Sequence, residues 1–432
     1  MNNWTELELA EFFEFTIPGD WGLPPTLKNS VPVLRSTNFR NDGKIDFSDI
    51  VYRNIEKSRL EKRIIRRGDV LIEKSGGSTD QPAGRVVYCD IDFAGTCSNF
   101  IELGRVKSTV DSKFVFYLLF HLYQTGLVLK YQQQTTGIIN FKLGEYKREK
   151  VHTTQSKVDQ SRIAAVLSCI DCAIEQTEDL IIKLKRINAG LMQDLLTKGV
   201  DEQGEIRSEA THEFKDSPLG RIPKEWEVTS LGNVGKWLSG GTPSKSQPRF
   251  WNGAIPWISS KDMKQFYLVE SIDTVTAEGA IRGTRVVPKE TILIVVRGMV
   301  LAHTFPVGVI MQASAFNQDI KACVCKPQVS PLYLAYTLLS NSESLLRLTT
   351  AATHGTKRFD TEDLFSFEFA LPKDKQEQDS IVKIIETCDT QLVAEKNKLR
   401  KLSSIKRGLM QDLLTGKVDV DSLFTEHTVV SA

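Results

Sequence analysis

The octapeptide GLMQDLLT occurs twice in this chain, at Gly190–Thr197 and Gly408–Thr415, 218 residues apart. The register persists upstream. Leu184 meets Leu402, Asp171 meets Asp389, Ile163 meets Ile381 and Gln160 meets Gln378. Further back Phe141 meets Phe359, Gly137 meets Gly355 and Asn99 meets Asn317. Earlier still the offset drifts, as insertions would cause: VPVLRSTNF (Val31–Phe39) resembles IPWISSKDM (Ile255–Met263), and GDVLIEKSGG (Gly68–Gly77) resembles KETILIVVRGM (Lys289–Met299). The C-terminal part of each repeat is alike and the N-terminal part has diverged. The chain is therefore a tandem duplication, variable domain then shared segment, twice over.

The shared segments have helical spacing. Ile163, Leu167, Ile170, Ile174, Ile181, Leu184, Leu191 and Leu195 step by fours and threes, broken at Thr177 and Asn188. Ile381, Ile385, Cys388, Leu392, Leu399, Leu402, Leu409 and Leu413 do the same, broken at Glu395 and Lys406. Sustained heptads predict coiled-coil seams. Two like stripes most simply pack on each other, and antiparallel pairing would relate the domains by a pseudo-twofold axis. From Gln160 to Leu195 such a rod is roughly 54 Å long, about one and a half turns of DNA. The expected fold class is α+β: two pseudo-symmetric domains separated by two long antiparallel coiled-coil helices. The expected boundaries are a first domain at 1–150, a helix at 151–197, a linker at 198–221, a second domain at 222–372, a helix at 373–416 and a flexible tail at 417–432.

Composition bounds the function class. The net charge of +1, from 55 basic and 54 acidic residues, neither favours nor excludes nucleic acid. The run Arg53–Arg67 is locally basic and reads more readily as a solvated face than as a phosphate track. The seven cysteines form no paired ligand set. Cys169 and Cys172 make one CxxC within a helix, where buried helix residues are preferred over metal or redox roles. The N-terminus has no signal-peptide character and the apolar run Ile292–Val296 is far too short to cross a bilayer. A cytoplasmic protein without membrane contact is expected.

Loops at matched positions in the two repeats suit reading a duplex. Arg35, Ser36, Thr37 and Asn38 meet Ser259, Ser260, Lys261 and Asp262. The loop containing Lys74, Ser75 and Gly76 meets Arg297 and Gly298, and Gly241 and Thr242 lie in SGGTPS (Ser239–Ser244). The run QQQTT, with Gln133 and Thr135, meets Thr353 and His354, followed by Lys357 and Arg358. Short side chains and glycines permit approach to phosphate, while Arg, Asn and Gln can pair bidentately with guanine or adenine. Asn99 and Asn317 read equally well as turn or capping residues, and Phe141 and Phe359 read as core anchors. Phosphate-binding, dinucleotide and amino-methyltransferase motifs are missing from the sequence. Asp69, Glu73 and Lys74 only faintly suggest a nuclease cluster. No catalytic or metal site is expected.

The chain resembles the specificity subunit of type I restriction–modification systems. The resemblance rests on IPxxW (Ile17–Trp21 and Ile222–Trp226), SGGTPS, FDTEDLFSFEFALP (Phe359–Pro372), the Gln-x-x-Ile helix starts and the two GLMQDLLT segments. It covers nearly the whole chain. It implies a non-catalytic subunit in which each domain reads half of a bipartite double-stranded DNA target and the helices set the spacer. It also implies two modification subunits carrying S-adenosylmethionine, and restriction subunits using ATP and Mg. Two rival readings are a coiled-coil scaffold without DNA readout and a self-sufficient methyltransferase or nuclease. The first domain departs from the pattern: it lacks a GGTPS counterpart, and Trp21 lies much closer to Val31 than Trp226 does to Ile255.

Overall fold

The structure, a computed structural model, describes residues 4–26, 30–78, 80–135, 138–351 and 355–425. The chain divides into two compact units, Met1–Asp179 with Asn397–Ala432, and Leu180–Lys396. Each is α+β and takes the start of one long helix and the end of the other.

The long helices are Lys157–Lys198 and Lys375–Leu414. At their starts the Ser156 hydroxyl accepts from the Asp159 N–H at 3.2 Å and the Asp374 carboxylate from the Gln376 N–H at 2.9 Å. Such capping satisfies donors that a helix start leaves orphaned. In the first unit Ile163, Ala164 and Leu167 share a buried cluster with Met410, Leu413 and Leu414, and Asp171 pairs with Lys406 at 2.6 Å. In the second, Leu195 and Leu196 share a cluster with Ile381, Val382 and Ile385. Within each unit, then, the two helices run antiparallel. Thr177 does not break the stripe: it is buried and its hydroxyl donates to its own helix at the Ala173 carbonyl, 2.7 Å away. Lys406 stays on the seam by laying its ammonium over Phe120, 5.1 Å from the ring centre.

The two units repeat one strand order. In the first, Phe13–Pro18, Ile101–Val106, Val70–Glu73 and Val86–Tyr88 form an antiparallel sheet in that order. In the second, Gly235–Ser239, Ile320–Cys325, Ile292–Val295 and Val307–Ile310 do the same, with Tyr267–Leu268 added at the edge. A second sheet pairs Ser30–Leu34 in parallel with Thr96–Cys97, and its counterpart pairs Trp251–Ile258 with Ser314–Phe316. Leu34 therefore corresponds to Ile258 and Cys97 to Phe316. A third, small sheet holds Ser75–Gly77, Ile138–Phe141 and Gln132–Thr135, matched by Arg297–Gly298, Lys357–Phe359 and Thr349–Ala351. Phe141 and Phe359 are buried at the roots of these sheets, as core anchors should be.

The structure reassigns the tryptophan that opens each domain. Trp226 pairs with Pro372 at the start of the strand Trp226–Ser230, and Trp4, not Trp21, pairs with the matching Thr154 at the start of Trp4–Glu8. Each packs on the glycine that ends a long helix. A Cβ on Gly199 would lie 2.5 Å from the Trp226 ring, and one on Gly416 would lie 2.9 Å from the Trp4 ring. Both glycines are left-handed, φ +68 and +71, the conformation that terminates helices and that other residues resist. With Trp4 as the counterpart, the intervals Trp4–Val31 and Trp226–Ile255 nearly agree, 27 against 29 residues.

Three expected boundaries also differ. Residues 151–154 belong to the strand Lys150–Thr154 rather than to a helix. The expected linker ends inside a hairpin: it contains the strand Phe214–Ser217 and the first two residues of its partner Gly220–Pro223. The expected tail is not free from 417 onward: Val420 is buried in the first unit and Asp421 pairs with Arg162. Cys169 and Cys172 are helical as expected but exposed rather than buried, because their positions fall off the seam. Among the described residues no cluster could hold a metal ion, and no helix is long and apolar enough to cross a membrane.

Candidate nucleic-acid interface

In each unit three loops come from matched positions: the turn after the parallel strand, the turn after the first sheet strand, and the small third sheet. Backbone hydrogen bonds fix the correspondence. The Asp20 N–H donates to the Cys97 carbonyl as Gly241 does to Phe316, at 2.8 and 2.9 Å. Ser98 donates to Leu34 as Asn317 does to Ile258, so Ser98 rather than Asn99 is the counterpart of Asn317, and Asn99 matches Gln318. Lys74 donates to Phe100 as Val296 does to Asp319. A Cβ on Gly19 would strike the Cys97 carbonyl oxygen at 2.1 Å, and one on Gly240 the Phe316 carbonyl oxygen at 2.2 Å. SGGTPS thus has a first-domain counterpart after all, in the turn beginning at Pro18, invisible by residue identity because only the close-approach glycine is shared.

Some of the expected reading residues support their own loops instead. Asn38 is buried. Its Oδ1 accepts the Arg35 N–H at 2.8 Å and its Nδ2 donates to the Asp46 and Asp49 carbonyls. Asp262 makes the same turn in the second unit, accepting from the Ser259 N–H at 2.8 Å and the Ser259 hydroxyl at 2.7 Å. Asn38 and Ser259 are therefore turn-holders, their polar atoms already committed. Ser75 is also buried, donating to the Asn140 side chain at 2.6 Å. Arg35 pairs with Asp49 at 2.6 Å and Lys74 with Glu102 at 3.1 Å.

Others remain presented. Ser36 and Gly76 share a groove of about 710 Å³ with Arg40 and Arg85. Gln133 is exposed on the small sheet opposite Asn140. Thr135 belongs to the same strand. In the second unit Lys261 is exposed, Gly241 sits against the Gly283 carbonyl, and the Thr242 hydroxyl donates to the Gln318 side chain at 2.5 Å. Arg297 and Arg358 face each other across paired strands, next to Lys357. The Arg297 Nε donates to Asp319 at 2.9 Å while the side chain is 58% exposed. That arrangement orients the guanidinium and leaves its two terminal nitrogens for a bidentate acceptor. Thr353 and His354 lie outside the described residues.

Sequence reasoning missed Arg85. Its Nε and Nη2 grip both oxygens of the fully buried Glu73 at 2.8 and 2.7 Å, and its terminal nitrogens donate to the Phe39 and Ser36 carbonyls at 3.0 Å each. Burial works against this guanidinium, yet Glu73's hydrogen bonds and charge leave its pKa above the usual arginine value. Arg85 thereby ties the Ser36–Phe39 turn to the central sheet. Asp69 is held likewise by Arg105 at 2.8–3.0 Å. Each carboxylate of the faint nuclease pattern thus has its own structural arginine. Three arginines of the basic run Arg53–Arg67 are similarly engaged: Arg53 donates to the Trp21 carbonyl, Arg59 pairs with Asp20 and Arg63 donates to the Pro18 carbonyl.

The comparisons agree with this architecture. The type I restriction modification DNA specificity domain family matches residues 1–186 and 223–404. The chain is 31% identical over 305 residues to the specificity subunit of the EcoR124I/EcoR124II type I restriction enzyme of Escherichia coli, covering 70% of each chain. It is 25% identical over 433 residues to a putative type I restriction enzyme MjaX specificity subunit of Methanocaldococcus jannaschii, covering 97% and 94%. Among solved structures, the S subunit of a type I restriction–modification system from M. genitalium superposes with a TM-score of 0.55 at 17% identity, covering 95% of this chain and 96% of that one. The HsdS subunit from Thermoanaerobacter tengcongensis gives 0.52 at 17% identity, covering 97% and 98%. On fold, repeat and sequence together, the chain belongs to the family of type I restriction–modification DNA specificity subunits.

Proposed function

We propose that this chain is the non-catalytic recognition subunit of a cytoplasmic type I restriction–modification complex, reading a bipartite duplex target with one domain per half-site. The observation that carries this reading is one backbone frame used twice with unlike side chains at its loops. Where the second domain has Arg297 and Asp319 the first has Ser75 and Phe100; where it has Thr242 and Gln318 the first has Trp21 and Asn99. A catalytic duplication would keep its reacting groups in both copies. A pair of readers keeps the scaffold and varies what faces the bases. The long helices serve as spacer ruler and as docking surface for two modification subunits, which carry S-adenosylmethionine. Restriction subunits supply ATP- and Mg-dependent work. With a net charge of +1, the partners supply much of the DNA affinity.

Methylation mapping in a host expressing this chain with its modification subunit tests the proposal. Two unlike half-sites at a set spacing are expected; methylation at a single contiguous motif, or at none, would refute it. A four-residue insertion after Thr197 lengthens the helix by about 6 Å and is expected to change the spacer by one or two base pairs with both half-sites kept. An unchanged spacer would sink the ruler. Arg297→Ala is expected to relax one guanine position in one half-site, a loss of about 1–3 kcal/mol in discrimination, read as mixed bases at that position of the methylated motif.

A further inference from the structure

We infer that the first domain reads an A·T pair through an apolar slot formed by Trp21 and Phe100 with Asn99 beside them; this rests on the function just proposed. Trp21 is 36% and Phe100 49% exposed, although both are large and apolar. They line one groove of about 570 Å³ with Arg35, Ser36 and Asn99. The position matters more than the exposure. By the backbone correspondence above, Phe100 stands where the second domain places Asp319, the carboxylate that orients Arg297. Trp21 stands where it places Thr242, and Asn99 where it places Gln318. At one place on one frame, then, the second domain presents a guanidinium with a hydroxyl and an amide, and the first presents two rings with an amide.

The chemistry of the occupant follows. Arginine matches the two acceptors of guanine, whereas the thymine C5-methyl is the apolar feature of the major groove. Adenine, its partner, offers the N7 acceptor and N6 donor that an asparagine amide can meet bidentately. Two rings beside an asparagine therefore suit both halves of an A·T pair. A basic side chain braces the slot. The Arg53 guanidinium lies 4.6 Å from the Trp21 ring centre, holding that ring in place. Trp21 and Asn99 also line a groove of about 1050 Å³ whose charged side chains are Lys57 and Arg59 with Asp20 and Glu56. A protein partner would have no use for the register with Arg297.

The test uses the assembled complex with its modification subunits and its mapped target. Thymines in each half-site are replaced one at a time by deoxyuridine, which removes only the methyl group, and affinity is read by competition. One replacement, in one half-site, is expected to weaken binding about fourfold, the worth of one buried methyl at about 0.8 kcal/mol. The double variant Ser75→Arg with Phe100→Asp, which transplants the second domain's pair, is expected to shift methylated sites from A·T to G·C at that same position and leave the other half-site alone. Phe100→Leu, which keeps the slot apolar, should keep the target. Deoxyuridine without effect in both half-sites would overturn the inference while leaving the recognition function standing. So would loss of modification-subunit capture by Phe100→Asp with no deoxyuridine effect, which would make the rings a protein contact. Failure of the wild-type complex to methylate any specific sequence would instead overturn the function itself.

Discussion

Glu73→Ala is expected to destabilise the first domain by about 3–5 kcal/mol, because it strands the Arg85 guanidinium in a site built around that carboxylate. Glu73 is fully buried and Arg85 nearly so, with side-chain exposures of 0% and 11%. A surface ion pair would be worth a small fraction of this. The second domain shows what the same position looks like without charge. The Glu73 N–H donates to the Arg85 carbonyl as the Val295 N–H donates to that of Pro306, so valine and proline occupy the sites of the pair. Apolar replacement of both partners should therefore be tolerated better than loss of one. Glu73→Val with Arg85→Leu is expected to be more stable than either single variant in chemical denaturation of the chain. A double variant no better than the worse single one would contradict this. Stability and readout should then separate. The double variant no longer holds the Ser36 and Phe39 carbonyls, so the complex is expected to fold and assemble yet lose stringency in one half-site only.

The duplication and its helices could be read from spacing alone, because a coiled-coil seam imposes a repeat that survives divergence. The loop correspondence Arg35–Asn38 with Ser259–Asp262 was readable too, since the flanking apolar residues Leu34 and Ile258 must keep their place in a sheet. The opening tryptophan was not. IPxxW occurs at Ile17–Trp21 by residue identity, while the structural role of Trp226 falls to Trp4, whose neighbours share none of that motif. What Trp4 and Trp226 share is a strand register and a left-handed glycine some 410 positions from the one and 27 from the other, and no local pattern encodes that. Asn38 and Ser75 misled for a different reason. Asparagine and serine suit base edges and tight turns equally well, and only burial separates the two uses. Arg85 was hidden because its partners come from two separate elements, Glu73 from a strand 12 residues upstream and the Ser36 carbonyl from a turn 49 residues upstream.

Gln378→Ala is expected to cost on the order of 3 kcal/mol, since it leaves several buried backbone groups unpaired at once. Its Oε1 accepts the Ser330 N–H at 2.7 Å, and its Nε2 donates to the Pro372 and Gln328 carbonyls at 2.8 and 3.0 Å. Gln160 repeats the device at the same register. Its Oε1 accepts the Asp111 N–H at 3.0 Å and its Nε2 donates to the Thr154 carbonyl at 2.8 Å. Each glutamine belongs to the first turns of a long helix, yet binds the start of the domain's own buried helix and the last residue of its final strand. It is the joint between domain and rod. Packing and hydrogen bonding can be told apart with Gln378→Met, which keeps the volume and loses the polar atoms. If the joint works by hydrogen bonds, methionine should cost nearly as much as alanine in thermal unfolding; if it works by filling space, methionine should be close to wild type. If the helices set the spacer as proposed, the precision of that spacing depends on these joints. Loosening this joint is therefore expected to let the methyltransferase complex accept neighbouring spacer lengths while both half-sites stay the same, and methylation mapping of the Gln378→Met complex reads that directly. A variant that keeps one spacer despite a lower unfolding temperature would show that spacing is set elsewhere in the complex.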